Sequence, residues 1–236
     1  MEPLVTVCAR GGSQGVRNKN VRPLMGRPLI AHTVQCALDW GMAHRVVVST
    51  DSEEIASAAR EAGAEAPFVR PADLARGEVP KMAVIRHALR EIERDSDDRY
   101  DVIVDLDVTA PLRHVSDVEG AYDLLLARQP LTVFSVVLAR KNPYYNVVEA
   151  DVGGYVHVSK DAGAAITCRQ IAPVVYDMNA SIHVYSRAYL MDDRNWHVCS
   201  DRSLPWVMDD LAAVDIDTEV DFRYVEFLLR EGVYVP

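Results

Sequence analysis

Two periodicities of apolar residues alternate along the first part of the chain. Short runs rich in valine and isoleucine predict buried strands, and the stretches between them carry apolar residues at helical spacing. The predicted strands are 4–9 (LVTVCA), 45–50 (RVVVST), 101–108 (DVIVDLDV) and 131–139 (LTVFSVVLA). The predicted helices are 28–40, 53–63, a stretch that begins at Pro80, and the segment around 121–128. Strands that alternate with helices indicate βαβ units and a parallel sheet covered on both faces.

The pattern changes between residues 140 and 189. Tyrosines cluster there, DVGGY (151–155) is typical of a hairpin turn, and SIHVYS (181–186) alternates as a strand. We therefore predict a three-layer, Rossmann-like α/β core formed by 1–139 and 190–236, with an inserted antiparallel arm at 140–189. After the arm, the segment 212–217 is predicted to return as a strand end, and Thr218 to cap a final helix.

Composition and charge exclude several classes of protein. The 236 residues carry a formal net charge of -10, which argues against a nucleic-acid partner. No apolar run approaches the roughly 20 residues that span a bilayer, and the N-terminus does not have the pattern of a signal peptide. The four cysteines are scattered without a CxxC pair, which favours free thiols. We expect a soluble cytoplasmic protein with no membrane partner.

A basic, glycine-rich segment follows the first predicted strand of this acidic chain. No Asp or Glu occurs between Pro3 and Leu38, whereas five cationic side chains do: Arg10, Arg17, Lys19, Arg22 and Arg27. Gly11, Gly12 and Gly15 allow the backbone to approach a ligand closely. Because ligands of open α/β sheets bind beyond the carboxyl ends of the strands, this loop favours a polyphosphate over a merely solvated turn. It matches neither the GxGxxG nor the GxxxxGK[ST] motif.

Two pairs of aspartates are candidates for holding a divalent metal. Asp215 and Asp217 are two residues apart near a predicted strand end, and Asp105 and Asp107 alternate along the third strand. Mg²⁺ bound to a nucleotide is held by one or two carboxylates, with phosphates and waters completing the octahedron. Capping is the alternative: Asp217 precedes a helix, and Asp107 precedes the turn at Pro111. For Asp107 the metal and capping interpretations both stay open.

Several motifs, taken in order, resemble those of the cytidylyltransferases that activate nonulosonic acids, the CMP-sialate synthases and their CMP-legionaminate relatives. They cover nearly the whole chain: CARGGSQGVRNKN, VVVSTDSEEIA, VRPADLA, LDVTAPLR, YDMNASIHV and VDIDTEVDF. The resemblance implies a nucleotidyltransferase-type fold and the reaction of CTP with a nine-carbon sugar acid, giving a CMP-sugar and pyrophosphate. It also implies a homodimer formed through the arm.

The resemblance assigns roles to individual residues. It implies that Arg10 and Lys19 bind the triphosphate of CTP and carry the catalysis. It places Ser13 and Asn20 at positions that contact the nucleotide, and Arg70 at a further nucleotide-binding position. Gly11 and Gly12 are expected at the same site because their backbone can approach the phosphates closely.

It also implies a cofactor and a sugar site. In the family the element that matches Asp215 and Asp217 supplies ligands to Mg²⁺, and we expect Asp107 to assist there or to contact the sugar. Asn179 fits the family pattern on the sugar side. The chain departs from CMP-sialate synthases at Asp107, where they usually have Gln, and at Asp177, where they typically have Arg. Both departures occur in legionaminate-type relatives, so the sugar acid is expected to differ from N-acetylneuraminate.

Two other functions remain as alternatives. One is a cytidylyltransferase for Kdo-like octulosonic acids, whose loop resembles this one less because here the spacing to Lys19 is longer. The other is a non-catalytic nucleotide-binding relative, which the joint presence of Arg10, Lys19, Asp215 and Asp217 argues against.

Overall fold

A computed structural model describes residues 2–12, 15–94 and 96–235 of the chain. The strands are β1 Leu4–Cys8, β2 Pro23–Leu24, β3 Arg27–Pro28, β4 Arg45–Ser49, β5 Val102–Leu106, β6 Thr132–Leu138, β7 Val148–Ala150, β8 Val156–Val158, β9 Tyr176–Ser186 and β10 Ser203–Val207. The α-helices are α1 Leu29–Asp39, α2 Glu53–Glu61, α3 Lys81–Arg94, α4 Val115–Arg128, α5 Arg187–Leu190 and α6 Glu219–Arg230.

The main sheet has six strands among the described residues, in the order β10-β6-β9-β5-β1-β4. β1 pairs in parallel with both β4 and β5, and β10 pairs in parallel with β6. β9 is antiparallel to both of its neighbours, β5 and β6. The expectation of a mostly parallel sheet is therefore confirmed.

Helices cover both faces of this sheet because the side chains of each strand alternate between them. On one face, Val5 and Val7 of β1 pack in a core shared with α1, α2, α4 and α6. On the other face, Leu4 of β1 packs with α3, whose Ile85 and Leu89 are completely buried. The three-layer arrangement predicted from the sequence is confirmed.

Local signals place most of the helix starts correctly. The Ser52 Oγ accepts a hydrogen bond from the Ile55 N–H at the start of α2, and the Thr218 Oγ1 accepts one from the Asp221 N–H at the start of α6. The prediction that 212–217 forms a strand end is wrong. A short 3₁₀ turn occupies 210–213, and extended chain follows it. This extended chain is fixed instead by the Ile216 N–H, which donates to the Thr109 carbonyl at 2.8 Å.

The predicted boundary of the arm needs a correction at its C-terminal side. Residues 176–186, which the sequence pattern assigned to the arm, form β9 in the middle of the main sheet. The segment that stands outside the sheet is 140–175, and it contains the antiparallel β7–β8 hairpin expected from DVGGY. A strand that enters a sheet in antiparallel direction between two parallel strands has the same local pattern as a strand of an arm, so sequence alone does not separate them.

Candidate nucleotide-binding site

A cleft of about 420 Å³ opens at the carboxyl ends of β1, β4 and β5. Among the described residues, its charged lining consists of five cations and two carboxylates: Arg10, Lys19, Arg70, Arg76, Lys81, Asp107 and Asp217. The cleft thus has an excess of positive charge in a chain whose net charge is -10. Such a local reversal of charge attracts and concentrates an anionic ligand.

The loop after β1 is anchored by its own polar groups. The Asn20 Nδ2 donates to the Arg10 carbonyl at 2.9 Å, and the Gly11 N–H donates to the Asp51 Oδ1 at 2.8 Å. Gly12 has a φ of 69°, which favours glycine. Asn20 lines the cleft and supports the loop, whereas the Gly11 amide is directed at Asp51. Ser13, predicted to contact the nucleotide, lies outside the described residues.

Gly15 brings this loop against the segment that carries Asp217. A Cβ added at Gly15 would lie 1.9 Å from the Asp217 carbonyl oxygen, a distance that no side chain tolerates. The Lys19 Nζ donates to the Ile216 carbonyl and lies 3.6 Å from the Asp217 Oδ1. The first loop and the segment before α6, whose contacting residues Lys19 and Ile216 are 197 positions apart, therefore form one wall of the cleft.

Only some of the cations in the first loop face this cleft. Arg10 and Lys19 line it. Arg22 forms a bidentate pair with Glu219 at 2.5 and 2.7 Å and stacks 4.0 Å over the Phe222 ring, which fastens the loop to α6. The cluster that looked uniform in sequence is thus divided between ligand-facing cations and a structural arginine.

Arg70 lies in the chain that follows α2, and its contacts with the end of β4 hold it at the cleft. Its side chain is buried, its Nε donates to the Ser49 Oγ at 3.1 Å, and its Nη2 donates to the Ser49 carbonyl. Its backbone N–H donates to the Thr50 carbonyl at 2.8 Å. The guanidinium is therefore held rigidly where the sequence predicted a nucleotide-binding arginine.

Lys81 is a cleft residue that the sequence analysis missed. It is the first residue of α3, and its Nζ lies 2.6 Å from the Asp107 Oδ2 and 2.8 Å from the Asp105 Oδ2. The Thr6 Oγ1 donates to the Asp105 Oδ1 at 2.8 Å. The only signal in the sequence is a lysine directly after Pro80 at a helix start, which by itself does not distinguish a ligand-binding lysine from a solvated one.

These contacts change the proton affinity of both partners. Burial alone would lower the pKa of Lys81, but the Asp105 and Asp107 carboxylates outweigh it and raise this pKa above its ordinary value. Burial alone would raise the pKa of Asp107, but the Lys81 charge and the hydrogen bonds from Lys81 and Thr109 hold it well below its usual range. Both groups are therefore charged at neutral pH.

Asp215 and Asp217 meet the requirements of a divalent cation. The Asp215 Oδ1 is buried without a hydrogen-bond partner in the described part of the chain, and the Asp217 side chain is 76% exposed. Burial raises the pKa of Asp215, a hydrogen bond from Thr109 opposes this, and the charges of Asp107 and Asp217 add to the rise. A bound cation would give the Asp215 Oδ1 a partner and would offset the repulsion between the Asp215 carboxylate and its acidic neighbours. No cluster of three His, Cys, Asp or Glu ligands occurs within 2–12, 15–94 and 96–235.

Of the three residues predicted on the sugar side, Asp107 lines the cleft, whereas Asp177 and Asn179 do not. The Asp107 N–H donates to the Ser181 carbonyl, and Asp177 lies four residues before Ser181 on β9, roughly 13 Å along an extended strand. Asp177 is exposed. Asn179 is buried, and its Nδ2 donates to the Ala212 carbonyl at 3.0 Å, so its amide supports the turn before Asp215. Neither side chain lines the cleft as the structure describes it.

Cys8 and His183 lie near the cleft but are not suited to act as a nucleophile or a charged base. Burial and the Asp105 carboxylate raise the pKa of the Cys8 thiol well above its ordinary value, which keeps it protonated. Burial and the Lys81 charge lower the pKa of His183 to about 4, which keeps it neutral. The chemistry of this cleft therefore rests on fixed cations and carboxylates.

The fold and the cleft define an α/β protein that binds an anionic ligand at the carboxyl edge of its sheet. The family model described as "Cytidylyltransferase" matches residues 4–188. This chain belongs to the cytidylyltransferase family, which confirms the family and the class of enzyme expected from the sequence motifs.

Proteins of known name are similar over almost the full length. The chain is 41% identical over 228 residues to a CMP-N,N'-diacetyllegionaminic acid synthase of Campylobacter jejuni, covering 97% of this chain and 95% of the relative. It is 40% identical over 230 residues to the post-translational flagellin modification protein B of Campylobacter coli, covering 98% and 96%. A pseudaminic acid cytidylyltransferase of Campylobacter jejuni is 28% identical over 230 residues, covering 98% and 97%.

Solved structures share the fold. The CTP complex of CMP:2-keto-3-deoxy-manno-octonic acid synthetase aligns with a TM-score of 0.72 at 16% identity, covering 98% of this chain and all of that chain (100%). A 4-diphosphocytidyl-2C-methyl-D-erythritol synthase from Anaerococcus prevotii aligns with a TM-score of 0.65 at 11% identity, covering 97% and 99%. These likenesses confirm the predicted nucleotidyltransferase-type fold. Separately, no helix in the described ranges has both the length and the apolarity needed to cross a bilayer.

Proposed function

We propose that this chain transfers the cytidylyl group of CTP to a nine-carbon sugar acid of the legionaminic type, releasing pyrophosphate. The observation that carries the proposal is the cleft at the carboxyl ends of β1, β4 and β5, in which Arg10, Lys19 and Arg70 converge with Asp217. This is the charge pattern that a nucleoside triphosphate and its counter-ion require. The similarity to the legionaminic relative supports the choice of sugar acid.

In the proposed reaction, the C2 hydroxyl of the sugar acid attacks the α-phosphorus of CTP. A P–O bond forms to the sugar, the hydroxyl proton is released to solvent, the bond between the α-phosphorus and the oxygen that bridges to the β-phosphate breaks, and pyrophosphate leaves. The chain's own part is to position two anionic reactants in line and to neutralise their charge. Arg10 and Lys19 would bind the triphosphate, and Arg70, fixed on Ser49, would hold a further group of the nucleotide.

A Mg²⁺ ion would be held by Asp215 and Asp217. When bound, it would neutralise phosphate charge in addition to the cations of the loop. The buried, unpartnered Asp215 Oδ1 and the exposed Asp217 carboxylate support this assignment. Two protein carboxylates suffice for Mg²⁺ on a nucleotide, because phosphate oxygens and waters complete its octahedron.

The arm at 140–175 would join two copies of the chain as a homodimer. Large apolar side chains of this arm are exposed in the isolated chain: Val148, Val152, Tyr155, Val156, Val158, Ile171 and Val174. A group of exposed apolar residues on one projecting segment is typical of an interface. The arm is too small to cover these side chains with a core of its own.

The two alternative functions are less well supported. The Kdo-type synthetase is similar only at the level of the fold, at 16% identity, whereas the legionaminic relative is 41% identical. A non-catalytic nucleotide-binding protein would not need the buried carboxylate of Asp215 beside the exposed one of Asp217.

The proposed function is tested by incubating the protein with CTP, Mg²⁺ and one of four acids: legionaminic, N-acetylneuraminic, pseudaminic and Kdo. Pyrophosphate release and the mass of the product are measured in each case. We expect kcat/KM for the legionaminic acid to exceed that for N-acetylneuraminate at least about tenfold, or about 1.4 kcal/mol of transition-state binding. Equal kcat/KM values for legionaminic acid and N-acetylneuraminate would refute the assignment of the substrate. A protein that turns over none of the four acids would refute the proposed enzymatic activity.

A further inference from the structure

Lys81, Asp105 and Asp107 form a row of charges from the interior of the sheet to the wall of the cleft. The side chain of Asp105 is 0% exposed, that of Asp107 is 19% exposed, and that of Lys81 is 30% exposed. Lys81 and Asp107 line the cleft, and Asp105 does not. The row therefore has a buried end and a ligand-facing end.

The contact with Lys81 accounts for the presence of a buried carboxylate at Asp105. A carboxylate that is completely buried carries a large desolvation cost, and such pairs seldom add to stability compared with apolar residues. Asp105 does not line the cleft; its Oδ1 accepts from the Thr6 hydroxyl at 2.8 Å, and its Oδ2 has no hydrogen-bond partner among the described residues but is ion-paired with the Lys81 ammonium at 2.8 Å. What this costly arrangement achieves is a lysine fixed in one position at the cleft wall.

The ammonium group of Lys81 has one donor left. It has three N–H groups: one is donated to the Asp107 Oδ2 at 2.6 Å, and even if the ion pair with the Asp105 Oδ2 at 2.8 Å occupies a second, one N–H is left for a further acceptor. We propose that Lys81, positioned by the buried Asp105, donates its remaining N–H to an anionic oxygen of the bound reactants, and that Asp107 is its partner rather than a metal ligand. This inference rests on the proposed function. The anionic oxygen belongs either to the carboxylate of the sugar acid or to a phosphate of CTP, and the test below distinguishes the two.

Asp107 differs from Asp215 and Asp217 in how its oxygens are occupied. Its Oδ2 accepts from Lys81 at 2.6 Å, and its Oδ1 accepts from the Thr109 N–H at 3.0 Å and from the Thr109 Oγ1 at 2.9 Å. A Mg²⁺ ion at roughly 2.1 Å from the Oδ2 would face a second positive charge on the same oxygen. The metal is thus assigned to Asp215, whose Oδ1 has no hydrogen-bond partner among the described residues, and to Asp217, whose side chain is 76% exposed.

The first test removes Lys81 and its buried partner together, because Lys81→Gln alone would leave Asp105 buried and uncompensated. The double variant K81Q/D105N keeps the net charge and the side-chain sizes. We expect it to fold, with at least a tenfold rise in the KM for the sugar acid if the oxygen is a carboxylate. If the oxygen is a phosphate, the Kd for CTP, measured by calorimetry without the acid, should rise tenfold instead. If K81Q/D105N is folded and both constants stay within twofold of wild type, the inference is overturned.

Two further variants separate position from charge. Lys81→Arg keeps the ion pairs, so it should remain folded and recover part of the affected constant, since Arg cannot place a single donor where the ammonium was. Arg128→Gln removes an exposed charge from the end of α4, which does not line the cleft, and should leave both constants unchanged. A purely structural role of Lys81 would change thermal stability without this split between KM and Kd.

The assignment of the metal ligands is tested with Mn²⁺, whose binding to the protein–CTP complex is measured by electron paramagnetic resonance. Asp107→Asn should leave the Mn²⁺ affinity within threefold of wild type, whereas Asp217→Asn should lower it at least tenfold. A loss in Asp107→Asn as large as in Asp217→Asn would show Asp107 to be a metal ligand. Because wild-type turnover is measured separately, a wild-type chain that is inactive refutes the proposed function. An active wild type with unchanged variants refutes only this inference.

Discussion

At the scale of single residues, the charged side chains of this protein divide into those that face a ligand and those that hold the fold. Arg22 and Lys19 illustrate the division, since both belong to the same basic loop. Arg22 is satisfied by Glu219 and the Phe222 ring, whereas Lys19 lines the cleft beside Asp217. Residue type and sequence position do not tell them apart, but their contacts do.

Lys19→Ala should reduce kcat at least about a hundredfold, because a fixed donor that stabilises developing charge is worth that much. The chain should remain folded, because the lost hydrogen bond to the Ile216 carbonyl lies at the cleft wall and outside the core. Steady-state pyrophosphate release measures the effect. Arg17→Ala removes an exposed charge from the same loop and is the matched control. Equal, near-normal rates in both variants would exclude Lys19 from catalysis.

Asp217→Asn should abolish most Mg²⁺-dependent turnover while the fold persists. The change keeps the size of the side chain and removes only the charge, and 76% of this side chain is exposed, so little packing is affected. A magnesium titration of the rate should show a half-saturating concentration raised at least tenfold. Asp210→Asn, an exposed change in the preceding 3₁₀ turn, should leave the titration unchanged. An unaltered titration in Asp217→Asn would assign this residue to structure alone.

At the scale of elements, the cleft depends on two segments that meet although they are almost 200 residues apart. The loop after β1 touches the chain before α6 through Gly15 and Lys19. The arm at 140–175, by contrast, is joined to the chain after β6, where the Ala139 N–H donates to the Val175 carbonyl at 3.1 Å and the Arg169 Nη2 donates to the Ala139 carbonyl at 2.6 Å. The first contact shapes the site, and the second leaves a projecting segment.

Gly15→Ala should weaken CTP binding at least tenfold. The new Cβ would lie 1.9 Å from the Asp217 carbonyl oxygen, so the loop must move away and take Lys19 with it. Gly77→Ala on the opposite wall is the control, because its Cβ would lie 3.5 Å from the Arg10 Nη2, an ordinary contact. Calorimetric titration with CTP compares the two. Unchanged affinity in Gly15→Ala would mean that the contact of this loop with Asp217 is dispensable.

Replacing residues 143–172 of the arm by a short Gly-Ser linker should convert the proposed dimer into monomers. β9 begins at Tyr176 and is left intact, so the Kd for CTP should change less than about threefold. Sedimentation velocity at micromolar concentration reports the assembly. Tyr155→Asp on the arm should shift the equilibrium toward monomers, and Tyr224→Asp on α6 should not, although both tyrosines are exposed. A monomeric full-length chain would rule out the dimer.

At the scale of the whole molecule, a neutral histidine at the centre of the sheet makes stability depend on pH. Burial and the Lys81 charge lower the pKa of His183 to about 4, against 6.5 for the unfolded chain. Between these values the unfolded state binds a proton that the folded state does not, so stability is full above pH 6.5 and falls as the pH falls.

Thermal unfolding in the absence of ligands should therefore show a lower midpoint at pH 5 than at pH 7. At pH 5 the titration of His183 lowers the free energy of unfolding by about 2 kcal/mol, which corresponds to a midpoint lower by roughly 4 to 8 °C for a chain of this size. His183→Gln should remove most of this difference, because glutamine does not titrate. Burial also lowers the pKa values of His32 and His87, and their contribution should remain in the variant. An identical slope in wild type and His183→Gln would contradict the assignment.

Sequence alone determined the order of strands and helices from β1 to β6, apart from the two-residue strands β2 and β3, because valine-rich runs and helical spacing are local signals; it did not predict β10 at Ser203–Val207. It also named Arg10, Lys19 and Arg70 from their motifs, and these three residues line one cleft. The motifs identified the family as well, because several of them in order are specific even where each is weak.

The tertiary structure decided what depends on distant partners. The motif around Asp107 does not show its partner: the Lys81 Nζ, 26 residues earlier in the chain, lies 2.6 Å from the Asp107 Oδ2. Residues 176–186 looked like part of an arm until their hydrogen bonds to β5 and β6 placed them in the sheet. Asn179 matched a sugar-site pattern, yet its amide is bonded to the Ala212 carbonyl. In each case the local sequence does not show the partner across the fold, and the energy of a buried charge, amide or strand edge depends on that partner.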